Sequence, residues 1–469
     1  MTARDLNRED ALYAAWIQRV LVVALSVVAA WLFVWPVYRA FLDIEIDCNE
    51  GWNAALSDLA IKGKPLYPPM DQLVTNNYPP LSFYIVGGLG RLLGDPILAG
   101  RLLSLVSVLA IAAAIFFAVR KLGGDRLSGW AAAVLFVGTM SRFATRYVGM
   151  DDPQLLAHAV MAFGFVAFLS ARERERGFVA PILIMVAAGF IKHNIIAMPL
   201  TAMLWLALHR PREAVKCFAV ALGAITAGFG ACYLFFGRDF FTNMMSPRQF
   251  SWESAMRSAS DLKYLRTSLA ASVLVGAVRW RDSSVRLCGM LIGVALVSFF
   301  LQKTGAGVDV NAMFDLVIAA SIGAGLALAH APTLLARLSL LTPRWEALRI
   351  ILLLAMIWQI MPLKRLHANR ATRLFLDRSF QREIATREQA MARSVAEVRD
   401  TPGDVVTSTY VSYRAGKGLA VDQFNLDQRI HSGALPHDVL EKRVRDHALT
   451  FVDSEGEADW DYPLWQGND

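Results

Sequence analysis

Between Val20 and Val37 the chain runs eighteen residues without a Lys, Arg, Asp or Glu, and it does so again over Leu102–Val119, Pro153–Ser170 and Cys217–Gly237. A helix needs roughly 17–25 predominantly apolar residues to cross about 30 Å of hydrocarbon. Shorter uncharged blocks repeat the pattern at Leu127–Ser141, Gly177–Ile191, Asn194–Leu208, Leu287–Leu301, Leu316–Ala329 and Ile350–Leu363. A chain built this way is an α-helical, polytopic membrane protein. Composition agrees: 55% hydrophobic and 19% charged residues stand against about 45–50% and about 25% in soluble chains.

The net charge of +7 would suggest nucleic acid in a soluble protein. Here Lys and Arg gather in the short loops that fix topology, and no nucleic-acid module is present, so that class is excluded. Cys48, Cys217, Cys232 and Cys288 have no metal-ligand spacing and lie mostly in apolar blocks, which predicts neither a disulfide framework nor a zinc site. A charged arm, residues 1–19, precedes the first block. No small-residue cleavage site follows it, so the block reads as a retained span and not a signal peptide.

With the N-terminus inside, every second loop is basic: Arg120-Lys121, Arg172-Glu173-Arg174-Glu175-Arg176, His209-Arg210-Pro211-Arg212 and Arg279-Trp280-Arg281. One misplaced span would invert this alternation. The count is about eleven spans within residues 20–363, the eighth being the weakest. The first external loop, residues 38–96, holds amphipathic stretches at Asn53–Ile61 and Leu81–Leu93 that suit helices lying in the interface. Residues 364–469 read as a small external α/β domain, with strands at Val405–Tyr410 and Ala448–Val452 and helices at Ser379–Val398 and Asp438–His447.

This topology gathers the acidic residues on one side. Asp47 and Glu50 lie just past the first span and Asp151 and Asp152 before the fourth, with Asp309 and Asp315 near the tenth. Each pair has a plain structural reading. A carboxylate near water caps a helix, and Asp151-Asp152 before Pro153 complements the dipole of the helix that follows. Against that, Arg146 lies five residues before Asp151. Ile191-Lys192-His193-Asn194 separates two apolar blocks with almost no loop, either as an external turn or as a cation at membrane depth, where ionisable groups mark substrate paths. The glycine-led stretch from Gly305 to Asp315 has no phosphate-loop spacing and reads as a turn lining the same space.

Taken in order, Asp47-x-x-Glu50-Gly51, Gly63-x-x-Leu66-Tyr67, Asn77-Tyr78-Pro79-Pro80-Leu81, Gly94-Asp95, Gly100-Arg101-Leu102-Leu103-Ser104 and Asp151-Asp152-Pro153 resemble the membrane-embedded glycosyltransferases of the GT-C superfamily. The nearest likeness is to the bacterial family-39 branch, which includes protein O-mannosyltransferases and the lipid A aminoarabinose transferase. It covers roughly Val20 to Leu208 well and the later spans by architecture. The resemblance implies inverting transfer of a sugar from a polyprenyl-phosphate donor to a glycolipid, glycan or protein acceptor. The reaction would take place at the external face of a bacterial inner membrane, with the N-terminus cytoplasmic.

The family's adjacent Asp-Glu is Asn49-Glu50 here, with the aspartate displaced to Asp47, so the base is open between Asp47 and Glu50. Where aminoarabinose transferases carry Lys before the matching proline, this chain has Tyr78, leaving Arg101, Arg146 or Lys192 to supply the missing positive charge. The second family aspartate falls on Asp152. The expected site is therefore Asp47, Glu50 and Asp152 for catalysis, with Asp47 the favoured base and Glu50 and Asp152 orienting acceptor or sugar. Asp151, Tyr78, Arg101, Arg146, Lys192 and His193 are expected to contact substrate. No cofactor is required, although carboxylate oxygens of Asp47, Asp151 and Asp152 offer a possible divalent-cation site. The rival functions are a flippase for a lipid-linked glycan, which predicts inverted repeats and broken helices, and a structural membrane subunit.

Overall fold

A computed structural model of the chain describes residues 3–338, 345–361, 368–446 and 449–452. In hydrocarbon a backbone must satisfy its own N–H and C=O groups, so each apolar block becomes a helix. In chain order these are α1 (Ala3–Arg39), α2 (Cys48–Ile61), α3 (Leu81–Leu93), α4 (Pro96–Lys121), α5 (Arg126–Phe143), α6 (Pro153–Arg174), α7 (Val179–Gly189), α8 (Ala197–His209) and α9 (Pro211–Phe236). Short α10 (Arg238–Met244) and α11 (Trp252–Arg257) lead to α12 (Arg266–Arg279), α13 (Ser283–Lys303), α14 (Phe314–Leu338) and α15 (Trp345–Ile360). Among the described residues six helices are long and apolar enough to cross a bilayer, and α3, α7, α8 and residues 347–360 are shorter apolar helices. It is a multi-pass membrane protein.

Aspartate starts many of these helices. Asp95 and Asp152 each cap a helix whose first residue is proline, accepting from Ile97 N at 2.9 Å and Gln154 N at 2.7 Å. Proline fits there because its missing N–H has no intrahelical partner to lose. The core is assembled around α14, whose apolar window is 94% buried, whereas that of α9 is 6% buried and lies at the periphery. Helices α4, α5, α12, α13 and α15 pack on α14.

The first loop folds as α2 and α3 joined by a proline-rich connection. Helix α3 exposes Leu81, Tyr84, Ile85, Leu92 and Leu93, an apolar face suited to the membrane interface. Beyond the spans come α16 (Arg370–Leu376), α17 (Arg378–Asp400), β1 (Val405–Val406), α18 (Thr409–Arg414), α19 (Gln423–His431), α20 (Val439–Arg445) and β2 (Thr450–Phe451). The strands pair in parallel, Val405 with Thr450 and Val406 with Phe451. The long strand expected at Val405–Tyr410 stops after two residues, because the Ser408 hydroxyl accepts from Tyr410 N and Val411 N and starts α18 instead. His447, Ala448, residues 453–469 and the expected boundary at Lys364 lie outside the described residues.

The C-terminal segment is seated on the first loop. Helix α18 packs on α2, and Arg414 pairs with Asp95 at 2.9 Å. Arg429 donates to the carbonyls of Gln72 (2.8 Å) and Met70.

Candidate active site

Two buried arginines shape the loops that carry the acidic residues. Arg101 of α4 donates through all five N–H groups: Nε and Nη2 to the two Glu50 oxygens (2.8 and 2.7 Å), Nη1 to Leu42 O (2.7 Å) and Ala40 O (3.4 Å), and Nη2 to Ile44 O (2.6 Å). Three alternate carbonyls held by one side chain fix the turn at residues 40–44 that leads from α1 to α2. Arg39, at the end of α1, does the same for the loop after α5, donating to Thr145 O (2.8 Å), Arg146 O (3.1 Å) and Val148 O (3.0 Å).

Glu50 also accepts from Ile46 N (2.9 Å) and Asp151 N (3.1 Å) and is fully buried. Its four lone-pair positions are occupied, and Arg101 has no donor left. This corrects the expectation that Glu50 orients sugar or acceptor and that Arg101 contacts phosphate: the pair ties the first loop to the loop before α6. Asp151 is likewise 1% exposed, wedged so closely against Gly100 that a Cβ there would lie 1.8 Å from its Oδ1. Burial, reinforced by Glu50 and Asp152, pushes its pKa well above the usual carboxylate range, and its Oδ2 has no hydrogen-bond partner. Asp151 is thus held in the interior, where burial favours its protonated form. The sequence run from Gly100 to Ser104 is thereby explained: Gly100 admits Asp151, Arg101 clamps the first loop, and Ser104 Oγ donates to Tyr147 O (2.9 Å) and accepts from Gly149 N (3.0 Å).

Asp47 is placed differently. It caps α2, accepting from Asn49 N (3.0 Å) and Asn49 Nδ2 (2.6 Å) through Oδ1, while Oδ2 meets Arg146 Nη1 at 3.2 Å. Burial raises its pKa, partly countered by Arg146. Arg146 also pairs with Asp309; burial disfavours its charge, but the two carboxylates outweigh burial and raise its pKa. Tyr147 lies within the field of Asp309, Asp152 and Asp47, and burial together with those carboxylates keeps its phenol protonated.

The opposing side is cationic. Lys192, in the turn between α7 and α8, sets its ammonium 3.1 Å from the centre of the Tyr78 ring and 3.8 Å from Asp152 Oδ2. Tyr78 is held by Tyr67, whose hydroxyl donates to Tyr78 O (2.9 Å), and by an edge contact with Trp52 at 5.0 Å. Burial lowers the Lys192 pKa to about 8. His193, beside it, is exposed. Arg248 is near enough for its charge to act on Lys192 and Tyr78, and it faces the ring of Phe424 from α19 at 5.6 Å. The structure thus brings together Asp47, Arg146, Asp152, Tyr78 and Lys192, and withdraws Glu50, Arg101 and Asp151 into the interior. The sequence reading did not single out Tyr147, Arg248 or Phe424, and it named Asp309 without assigning a partner. A cleft of about 830 Å³ lies elsewhere, between the far end of α2, the proline-rich connection and residues 413–419, and includes none of these groups.

The fold has counterparts. Residues 77–233 match the family model described as dolichyl-phosphate-mannose-protein mannosyltransferase. The chain superposes on ArnT from Cupriavidus metallidurans bound to undecaprenyl phosphate with a TM-score of 0.57 and 14% identity, covering 89% of this chain and 88% of that one. On the oligosaccharyltransferase AglB from Archaeoglobus fulgidus, in complex with an inhibitory peptide and a dolichol-phosphate, the TM-score is 0.59 at 12% identity, over 93% and 69% of the two chains. The fold is that of the GT-C membrane glycosyltransferases. No curated protein sequence matches the chain.

Another structure of the A. fulgidus enzyme, in complex with zinc and sulfate, matches with a TM-score of 0.53 at 12% identity, over 86% and 62% of the two chains. The residues named above as a possible cation site, Asp47, Asp151 and Asp152, are not gathered for one. Among the described residues no three His, Cys, Asp or Glu side chains converge. The position between Asp47 and Asp309 is filled by the Arg146 guanidinium, and Asp151 is buried away from Asp47 against Gly100.

Proposed function

We propose that this GT-C chain transfers a sugar from a polyprenyl-phosphate donor to a cell-envelope acceptor at the external face of a bacterial inner membrane. The observation that carries the reading is the opposition of Asp47, held by Arg146, to a cationic pocket of Lys192 and Arg248 around Tyr78. The relatives that bind undecaprenyl phosphate or dolichol-phosphate support a lipid phosphate as the occupant of that pocket.

Transfer with inversion breaks the bond between the anomeric carbon and the phosphate oxygen and forms one to the acceptor from the opposite face. The phosphate leaves carrying its negative charge, which Lys192 and Arg248 hold in a site of low dielectric. The acceptor's proton passes to Asp47, whose raised pKa makes it a better base than an exposed carboxylate. Arg146 keeps Asp47 oriented between turnovers. Tyr147, protonated, offers a hydrogen bond to the sugar or acceptor. The acceptor class, whether lipid, glycan or protein, follows from contacts around Arg248 and Phe424.

The test uses purified protein and undecaprenyl-phosphate sugars labelled in the sugar. Asp47→Asn should lower sugar release about 10²–10⁴-fold, the usual worth of a general base, with an unchanged melting temperature. Turnover at the wild-type rate by Asp47→Asn would remove the base assignment. Movement of intact labelled lipid between leaflets without bond cleavage would establish the flippase instead.

A further inference from the structure

Beneath the site, two ionisable side chains that the proposed reaction does not use meet inside the helix bundle. His158 of α6 and Asp315 of α14 are 1% and 3% exposed, and His158 Nε2 lies 3.4 Å from Asp315 Oδ1. Ionisable groups at such depth are costly, and a buried pair is often replaceable by apolar residues with no loss of stability. Packing alone therefore gives no reason for it.

The hydrogen bonds around the pair suggest one. His158 Nδ1 is 2.8 Å from Gln154 O. A carbonyl only accepts, so Nδ1 carries a hydrogen. In a neutral imidazole Nε2 would then turn a lone pair towards the carboxylate. The two groups lie within ion-pair distance without a hydrogen bond between them, and this polar approach links α6 to α14. The other Asp315 oxygen, Oδ2, accepts from Ala197 N at 3.4 Å. Ala197 opens α8, and Ile196 before it offers no side-chain cap. Asp315 thus caps α8 from another helix, satisfying an N–H that would otherwise be orphaned.

Both ends of this chain of contacts lead to the cationic pocket. On α6, Gln154 N bonds Asp152 Oδ1 four residues before His158. On α8, Ala197 closes the turn that carries Lys192. The start of that turn is tied by Leu81 N to Phe190 O at 3.2 Å, beside the Tyr78 segment, and its middle by Asn194 Nδ2 to Gln302 Oε1 at 2.9 Å. We infer that His158 and Asp315 are positioning residues: a buried strut that sets the Lys192 turn against the helix bearing Asp152, and so fixes the cation that receives the donor phosphate. The ligand half of this inference rests on the reading of Lys192 given above; the strut itself does not.

Substitutions at 315 separate geometry from charge and from packing. In Asp315→Asn the amide oxygen still accepts from Ala197 N, and the amide fills the same space beside His158, so the geometry survives without the carboxylate charge. Asp315→Leu fills the space and loses both contacts. Backbone hydrogen exchange over residues 190–197 in nanodiscs is read first, then binding of undecaprenyl phosphate, with Lys192→Met as reference.

Asp315→Leu should exchange faster at 190–197 and bind the lipid more weakly, each by about tenfold, the size of one lost cap. Asp315→Asn should stay within about threefold of wild type, on the scale of an isosteric hydrogen-bond replacement. The Asp315→Leu/Lys192→Met double variant should bind no more weakly than Lys192→Met, because the strut acts through that lysine. Wild-type exchange at 190–197 in Asp315→Leu overturns the inference, as does an Asp315→Asn variant as impaired as Asp315→Leu. If Asp315→Leu does not fold, Asp315→Ala, which also loses both contacts, is read the same way. Lipid binding unaffected by Lys192→Met would instead defeat the phosphate reading, and the exchange result would still decide the strut.

Discussion

Lys192 has its ammonium over the Tyr78 ring at 3.1 Å, and burial brings its pKa down to about 8. At neutral pH the amine is mostly charged and holds phosphate; as pH rises through about 8 it loses its proton and the attraction goes with it. Binding of undecaprenyl phosphate, measured from pH 7 to pH 10, should therefore fall with a midpoint near that value. Lys192→Arg should remove this alkaline limb, since a guanidinium stays charged throughout. Asp151 carries the opposite shift. Its folded-state pKa lies well above the ordinary 3.8, so the stability that its proton contributes is fully present below the unfolded value and is lost as pH rises through the folded one. At neutral pH Asp151 is a liability to the fold. Asp151→Asn, an isostere of the neutral acid, should raise the melting temperature at pH 7 and flatten its dependence on pH; a lower melting temperature would show that the ionised form is the native one.

At the level of elements, α2 decides which carboxylate is available. Asp47 and Glu50 are three positions apart, and no property of the segment itself says that the capping residue stays accessible while the first-turn residue is sealed. Arg101, 51 positions further on, makes that choice by taking both Glu50 oxygens. The spans were legible because lipid allows a long uncharged segment only one conformation, and the motifs were legible because each is a short run of neighbouring residues. Partnerships such as Arg146 with Asp309, 163 positions apart, and Arg248 with Phe424 arise only when helices are assembled. The strand expected at Val405–Tyr410 failed for a local reason, since the Ser408 cap outweighs the β-branched and aromatic composition.

The other face of α2 shows how tightly the C-terminal segment is fitted. A Cβ on Gly51 would lie 2.1 Å from the Thr409 carbonyl carbon, and a backbone atom cannot swing aside. Gly51→Ala should therefore part α18 from α2, at about 1–3 kcal/mol for an overpacked contact. The melting temperature should drop, and protease cleavage near Thr401–Asp404 should accelerate. Unchanged cleavage and melting would mean that the two helices do not hold each other.

Across the whole molecule the connections sort into two ends. One holds the α2–α3 loop, the turn carrying Lys192, the Arg146–Asp309 pair and the C-terminal segment, joined by contacts such as Asn77 with Asn425 (3.3 Å) and Gln249 N with Gln428 (2.9 Å). At the other, Lys121 meets Glu173 (2.8 Å), Arg210 meets Glu175 (2.7 Å) and Arg172 meets Ser283 (2.8 Å). The second end carries the basic loops Arg120-Lys121, Arg172–Arg176, His209–Arg212 and Arg279–Arg281. Basic loops favour the cytoplasmic side, and the expectation that follows puts the proposed site, with the C-terminal segment, outside. Two exposed positions test this: Lys64, in the first loop, and Arg176, in the basic loop after α6. In a chain with Cys48→Ser, the other three cysteines are buried, so a thiol placed at either position is the reactive one. In intact spheroplasts a membrane-impermeant maleimide should label Lys64→Cys and leave Arg176→Cys unlabelled until the membrane is permeabilised. The reverse pattern would put Asp47 and Lys192 in the cytoplasm, where the donor's phosphate would have to be reached from the inner leaflet and the external reaction would be lost.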